Sequence, residues 1–312
     1  MKSFIKSVAA AAVIGVAMTS TAFAADPASC KAVRFADVGW TDIQVTTGAT
    51  SVVLEALGYE PQVSTLSVPV TMASLKNKDI DVFLGNWMPS MTADIKAYLD
   101  DKSIEQVAAN LEGAGYGLVV PQYVADAGVK SLGDLGANAD KFSGKIFGIE
   151  AGNDGNRIIQ TMIDDPKNNL KGFTLVESSE AGMLTEAEKA MKDNQWIVFL
   201  GWTPHPVMGE MKIAYLDGMG DSGFGAATVY TIARAGYTTE CPNVGALLKN
   251  LKFDLAMEGA MMDPVLKNSA DPKETAKAWL KANPDVVKPW LQGVTTFDGG
   301  DAAAAVDAAL KG

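Results

Sequence analysis

Residues 75–85 read LKNKDIDVFLG, and residues 191–201 read MKDNQWIVFLG. Each copy runs from the charged end of a helix into a short apolar stretch with the length of a buried strand. Trp and Pro follow in both: Gly85-Asn86-Trp87-Met88-Pro89 in the first, Gly201-Trp202-Thr203-Pro204 in the second. Upstream of each lies another short strand that ends in a polar, Gly-containing loop. These loops are Asp37-Val38-Gly39-Trp40-Thr41-Asp42 and Glu150-Ala151-Gly152-Asn153-Asp154-Gly155-Asn156. The chain therefore reads as two similar α/β units, near 30–110 and 117–215, with coincidence between two buried strands as the alternative.

Working outward, strands are expected at 33–36, 81–84, 145–149 and 196–200, where short β-rich apolar runs occur. Helices are expected at 44–57, 72–78, 91–99, 156–163, 185–192 and 273–281, with an Ala-rich helix at 302–310. Alternation of the two patterns argues for α/β layers. Ligands of open α/β sheets bind outside the carboxyl ends of the strands. Four strand-end loops, two per unit, should then converge on one cleft.

Composition narrows the function. The chain has 312 residues, 48% of them apolar and 20% charged, which is ordinary globular usage for about two domains or lobes. Its net charge is −11. Nucleic acid and anionic membrane surfaces are poor partners for such a chain, because phosphate contacts need clustered Lys and Arg. One histidine, His205, and two cysteines, Cys30 and Cys241, leave no material for multi-His or Cys-rich metal sites. The first 24 residues have the layout of a secretory signal. Lys2 and Lys6 precede an apolar run at 8–18, and Ala22-Phe23-Ala24 supplies a cleavage site after Ala24. The run is too short to span a bilayer, so an uncleaved anchor is the lesser alternative. In an oxidising compartment Cys30 and Cys241 most simply form one disulfide, with two buried free thiols as the alternative.

Two motifs look like chemistry and are set aside. Gly218-Met219-Gly220-Asp221-Ser222-Gly223 matches G-x-G-x-x-G, but a strand pattern follows it where a pyrophosphate site needs a helix. It reads better as a Gly-rich crossover between lobes. Ser222 would need His205 as its base only 17 residues away in a chain that is not all-β, so a serine hydrolase is a distant alternative. No motif calls for a cofactor, and no catalytic residue is assigned.

The aromatics carry more. Trp196, Trp279 and Trp290 sit at strand or helix positions that suit core packing. Trp40, Trp87 and Trp202 lie just past strand ends, where a large partly solvated aromatic needs a partner. Three indoles around one cavity suit a quaternary ammonium, because their ring faces attract a cation that cannot donate hydrogen bonds; choline is a standard example of this contact. A stacked sugar is the rival ligand, but the loops offer few of the carboxamides and carboxylates that sugars need.

These features together closely resemble the quaternary-ammonium-binding proteins, the periplasmic receptors of glycine betaine/choline ABC importers, and among them the choline-binding members. The resemblance rests on the leader, the repeat, Gly39-Trp40-Thr41-Asp42, Gly85-Asn86-Trp87-Met88-Pro89 and Gly201-Trp202-Thr203-Pro204-His205, and covers essentially the whole mature chain. It implies a two-lobed α/β fold of the type II periplasmic binding proteins, with two crossovers and the ligand cleft between lobes. Lobe 1 would comprise 25–113 and 226–312, and lobe 2 would comprise 114–225, so that Cys30 and Cys241 share lobe 1. The resemblance assigns the box walls to Trp40, Trp87 and Trp202, and adds Tyr116, which nothing else in the sequence marks. Asp42 is placed to set a carboxylate near the ammonium, with helix capping as its alternative. Asn153 is placed to bond a ligand hydroxyl, again with a cap or turn as its alternative.

Glycine betaine carries a carboxylate and calls for cationic partners. The loops offer Asp42, Asn153 and Asp154, and the nearest cations are Arg157 and His205. Choline is therefore the expected ligand, with acetylcholine or betaine as alternatives. The expected partner is an ABC permease of the inner membrane, and the expected state is a non-enzymatic periplasmic monomer. A sensory module of the same fold is a third class that the sequence does not separate from a transport receptor.

Overall fold

The computed structural model describes residues 26–312, so the expected leader at 1–24 lies outside the described residues. Nine strands form one mixed sheet: β1 (Ala32–Asp37), β2 (Glu60–Thr65), β3 (Val82–Met88), β4 (Ile104–Pro121), β5 (Lys145–Phe147), β6 (Thr174–Val176), β7 (Phe199–Thr203), β8 (Ile213–Tyr215) and β9 (Gly225–Arg234). Their order is β2-β1-β3-β9-β4-β7-β5-β6, with β8 on β4. The order is nearly a palindrome, and this is the repeat seen in the sequence. On one side β1 lies parallel between β2 and β3, and β3 is antiparallel to β9. On the other β5 lies parallel between β6 and β7, and β7 is antiparallel to β4. The long strands β4 and β9 pair along most of their length and join the halves.

Each half follows its first strand with the same turn. Gly39 and Gly152 both take φ +86, a left-handed conformation that a side chain would strain. Helices Thr41–Ala56 and Asp154–Asp164 start directly after these turns. Both repeat copies also end in a cis bond, at Met88-Pro89 and Thr203-Pro204. The expected helices are all present, and those expected from 44, 72 and 185 begin three to five residues earlier, at Thr41, Val68 and Glu180. The strand expected at 196–200 instead occupies Phe199–Thr203. Its start is set by pairing rather than apolarity, because Phe199 is the first residue to meet both β5 and β4.

Cys30 and Cys241 are joined in a disulfide with Cα atoms 5.7 Å apart. Asp26 reinforces that tie. Its carboxylate accepts from the backbone N–H of Asn243 (2.8 Å) and Val244 (3.1 Å) and from Tyr59 Oη (3.0 Å). The start of the described chain is thus held against the first turn of helix Pro242–Asn250, which has no side-chain cap from its own N-cap residue.

Candidate functional site

The carboxyl ends of β1, β3, β5 and β7 converge on a cavity lined by Trp40, Asp42, Trp87, Tyr116, Ile149, Asp154 and Trp202. Trp40 is the residue before helix Thr41–Ala56, delivered there by the Gly39 turn. Trp87 and Trp202 were expected in loops past the strands, but each is the penultimate residue of its strand. Pairing extends the strands: Trp87 lies opposite Val229 of β9, and Trp202 lies opposite Tyr116 of β4. Trp202 and Tyr116 are therefore cross-strand neighbours, with ring centroids 6.5 Å apart and planes at 72°. Tyr116 also meets Trp87 at 5.7 Å and is braced from behind by Phe224 at 5.2 Å. All four wall aromatics are buried, with 4–6% exposure.

Two carboxylates and no basic side chain line this cavity. Asp42 sits in the first turn of its helix rather than at the cap. Its Oδ2 accepts from Trp87 Nε1 at 3.2 Å, which fixes the indole, while its Oδ1 has no protein partner. Burial pushes its pKa up to about 7, and the nearby Glu180 carboxylate adds to the rise. Asp154 opens the matching helix in the other half, and neither of its oxygens has a protein partner. Burial raises it to about 6. Trp202 Nε1 is a fourth buried polar atom at this cavity without a partner. Buried carboxylates left bare are costly unless a cation or a proton completes them. Four aromatic side chains and two incompletely partnered carboxylates suit a cation with an apolar shell.

The structure brings together five of the six predicted binding residues: Trp40, Asp42, Trp87, Tyr116 and Trp202. Asn153 does not line the cavity. Its side chain caps helix Asp154–Asp164, accepting from Asn156 N at 2.8 Å and donating to the Glu150 carbonyl. Asp154, the next residue, reaches the cavity in its place. Sequence reasoning named Asp154 only as a nearby acid, although it lies in the first turn of its helix as Asp42 lies in the first turn of the equivalent one.

Three further groups were missed. Glu150 accepts from Trp40 Nε1 at 2.6 Å. Glu180 accepts from the backbone N–H of Thr41 at 2.9 Å and pairs with His205 Nε2 at 3.1 Å. Gly155 leaves room for Tyr116, since a Cβ there would stand 2.2 Å from Tyr116 Oη. His205 is fully engaged. Its Nδ1 accepts from Met208 N at 3.2 Å, which makes Nε2 the protonated nitrogen facing Glu180, and its ring packs edge-on against Trp202 at 5.0 Å. Ser222 Oγ accepts from the Phe224 N–H, so neither member of the supposed hydrolase pair is poised for catalysis.

Comparison with known proteins agrees with this geometry. Residues 31–282 match the family described as the substrate binding domain of ABC-type glycine betaine transport systems. A solved ABC-transporter choline-binding protein in complex with choline is 56% identical, with a TM-score of 0.89 over 91% of this chain and 100% of that one. A choline-binding protein in an unliganded semi-closed conformation, also 56% identical, gives 0.82 over 90% of this chain and 99% of that one. The glycine betaine/carnitine transport binding protein GbuC of Listeria monocytogenes serotype 1/2a is 34% identical over 167 residues, 53% of this chain and 54% of that protein. The expected periplasmic-binding-protein fold is thereby established, and the hydrolase alternative finds no support. The chain belongs to the substrate-binding domains of ABC-type glycine betaine transport systems, a family of receptors rather than enzymes.

Proposed function

We propose that this protein is the choline receptor of an ABC importer. The observation that carries the proposal is the cavity lining: four buried aromatic walls with two buried, incompletely partnered carboxylates and no basic side chain. A trimethylammonium group sets its methyls against the rings and its charge between Asp42 and Asp154. A betaine carboxylate would enter the same space without a cationic partner, next to two acids. His205 offers it no N–H, because Glu180 already takes Nε2. We assign the choline hydroxyl to Asn153, which adjoins the cavity residue Asp154 and would reach the ligand by turning its amide away from the Glu150 carbonyl.

Lobe 1 is proposed to comprise 25–113 and 226–312, and lobe 2 to comprise 114–225. The walls are then split, with Trp40, Asp42 and Trp87 on one side and Tyr116, Asp154 and Trp202 on the other. Closure completes the cage, excludes water and strengthens each contact made inside it. The receptor works in the periplasm as a monomer after cleavage behind Ala24, and the closed, loaded form is what the inner-membrane permease reads. Support for a closing cage comes from the better superposition on the choline-bound relative than on the semi-closed one.

Calorimetric titration with choline, acetylcholine and glycine betaine tests the proposal. Choline should bind more tightly than betaine by at least roughly tenfold, the scale of one unpaired charge contact. Betaine binding as tightly as choline would overturn the assignment.

A further inference from the structure

One buried acid outside the cavity connects the two halves of the cage. Glu180 is 5% exposed and is the first residue of helix Glu180–Lys192. Ser179 caps that helix by accepting from Gly182 N, so the Glu180 side chain is free to reach elsewhere. It reaches across the cleft to the start of helix Thr41–Ala56, the helix that carries Trp40 at its cap and Asp42 in its first turn.

That helix needs a partner from outside. Its first-turn N–H groups have no intrahelical acceptor, and its N-cap residue is Trp40, whose indole cannot accept from them. Glu180 Oε2 takes the Thr41 N–H at 2.9 Å. The other oxygen, Oε1, holds His205 Nε2 at 3.1 Å, and His205 braces the edge of Trp202. A single carboxylate therefore ties the residue after Trp40 to the residue that backs Trp202, two walls that stand on opposite lobes. Both bonds are of ordinary length but buried, and hydrogen bonds to a carboxylate exceed those between neutral groups.

We propose that Glu180 is the closure latch of the receptor: a positioning residue of lobe 2 that caps the Trp40-bearing helix of lobe 1 only when the lobes are shut. The proposal rests on the closing-cage reading above. It assigns to Glu180 the task of slowing ligand escape without touching the ligand. Opening breaks the Thr41 bond and leaves the helix start to water; the His205 bond stays within lobe 2 and keeps the latch aimed.

Stopped-flow and calorimetric measurements on full-length mature protein test this with choline as the probe. Glu180→Ala should raise the choline off-rate by roughly tenfold or more, the scale of a lost hydrogen bond to a charged group, and should leave the on-rate within about twofold. Glu180→Gln keeps an acceptor for Thr41 and should recover part of the loss. The melting temperature without ligand separates a latch from a general structural role. It should stay close to that of the unmodified protein, because the Thr41 bond is made only on closure. An unchanged off-rate in Glu180→Ala, or a change matched by an equal loss of ligand-free stability, would overturn the proposal. Amide hydrogen exchange with saturating ligand, choline or glycine betaine, gives an independent arm. Bound ligand should slow exchange at Thr41 in the unmodified protein but not in Glu180→Ala, while the last turn of the same helix behaves alike in both. If betaine binds in place of choline and this difference is seen, the choline assignment fails and the latch survives. If ligand binds and exchange at Thr41 is the same in the two proteins, the latch fails.

Discussion

Ligand and proton should compete for this cavity, and the competition can be sized. A bound cation favours the ionised carboxylate, whereas the empty cavity favours the protonated form, with Asp42 at about 7 and Asp154 at about 6. Choline affinity should therefore rise with pH. At roughly pH 5.5 a group with a pKa of about 7 is ionised in about one molecule in thirty, and one at about 6 in about one in four. If both must ionise to receive the cation, affinity falls by up to about a hundredfold between pH 8 and pH 5.5, or roughly 3 kcal/mol. Asp42→Asn removes the larger share and should leave only about a fourfold dependence, at lower overall affinity. Calorimetry in buffers of different ionisation heat reads the protons released on binding. The same carboxylates should make the ligand-free fold less stable as pH climbs from about 4 to about 7, because a native pKa above the unfolded value means the native state holds more protons there. Saturating choline should shrink that loss. An affinity that is flat across this range, or an Asp42→Asn variant with the full pH slope, would mean that the two carboxylates do not exchange protons for the ligand.

Other consequences are as direct. Trp87→Ala and Trp202→Ala should each weaken choline binding by about 1–2 kcal/mol, the size of a desolvated cation–π contact, and unchanged affinity in both would remove them from the box. Replacing Cys30 and Cys241 by Ser opens a loop whose ends are 211 residues apart, and denaturant unfolding should show a loss of up to about 5 kcal/mol. Gly155→Ala puts a methyl 2.2 Å from Tyr116 Oη, so titration should show weakened choline binding as that wall is pushed inward; full affinity would mean Tyr116 is not held where the cage needs it.

Much of the site was legible because the repeat is written locally. LKNKDIDVFLG and MKDNQWIVFLG carry their strands, and the Trp near each strand end travels with them. Trp87 and Trp202 were nonetheless placed one step too far along, since the strand ends are decided by β4 and β9, which come from elsewhere in the chain. Tyr116 has no local mark: it is one residue of an 18-residue strand, and its role comes from facing Trp202 across the ladder. Glu180 was out of reach for the same reason. Its partners Thr41 and His205 are 139 and 25 residues away, and an acid opening a helix reads as an ordinary dipole partner. The exchange of Asn153 for Asp154 at the cavity wall turns on one residue of helix phase. It is decided by the cap bond in which Asn153 Oδ1 accepts from the Asn156 N–H, and either residue type is common at a helix start.

If the cage selects positive charge within an apolar shell, dimethylbutanol separates that charge from shape. This alcohol is choline's neutral isostere, with carbon in place of the quaternary nitrogen. It fills the same volume, buries the same methyls and keeps the hydroxyl. Competition calorimetry of the two ligands isolates the charge. Four aromatic faces and two buried carboxylates predict at least about a hundredfold preference for choline, since each desolvated cation–π contact is worth about 1–2 kcal/mol. Equal affinity for the two would mean that the cavity recognises shape and apolar surface alone and that the cage has no charge selectivity.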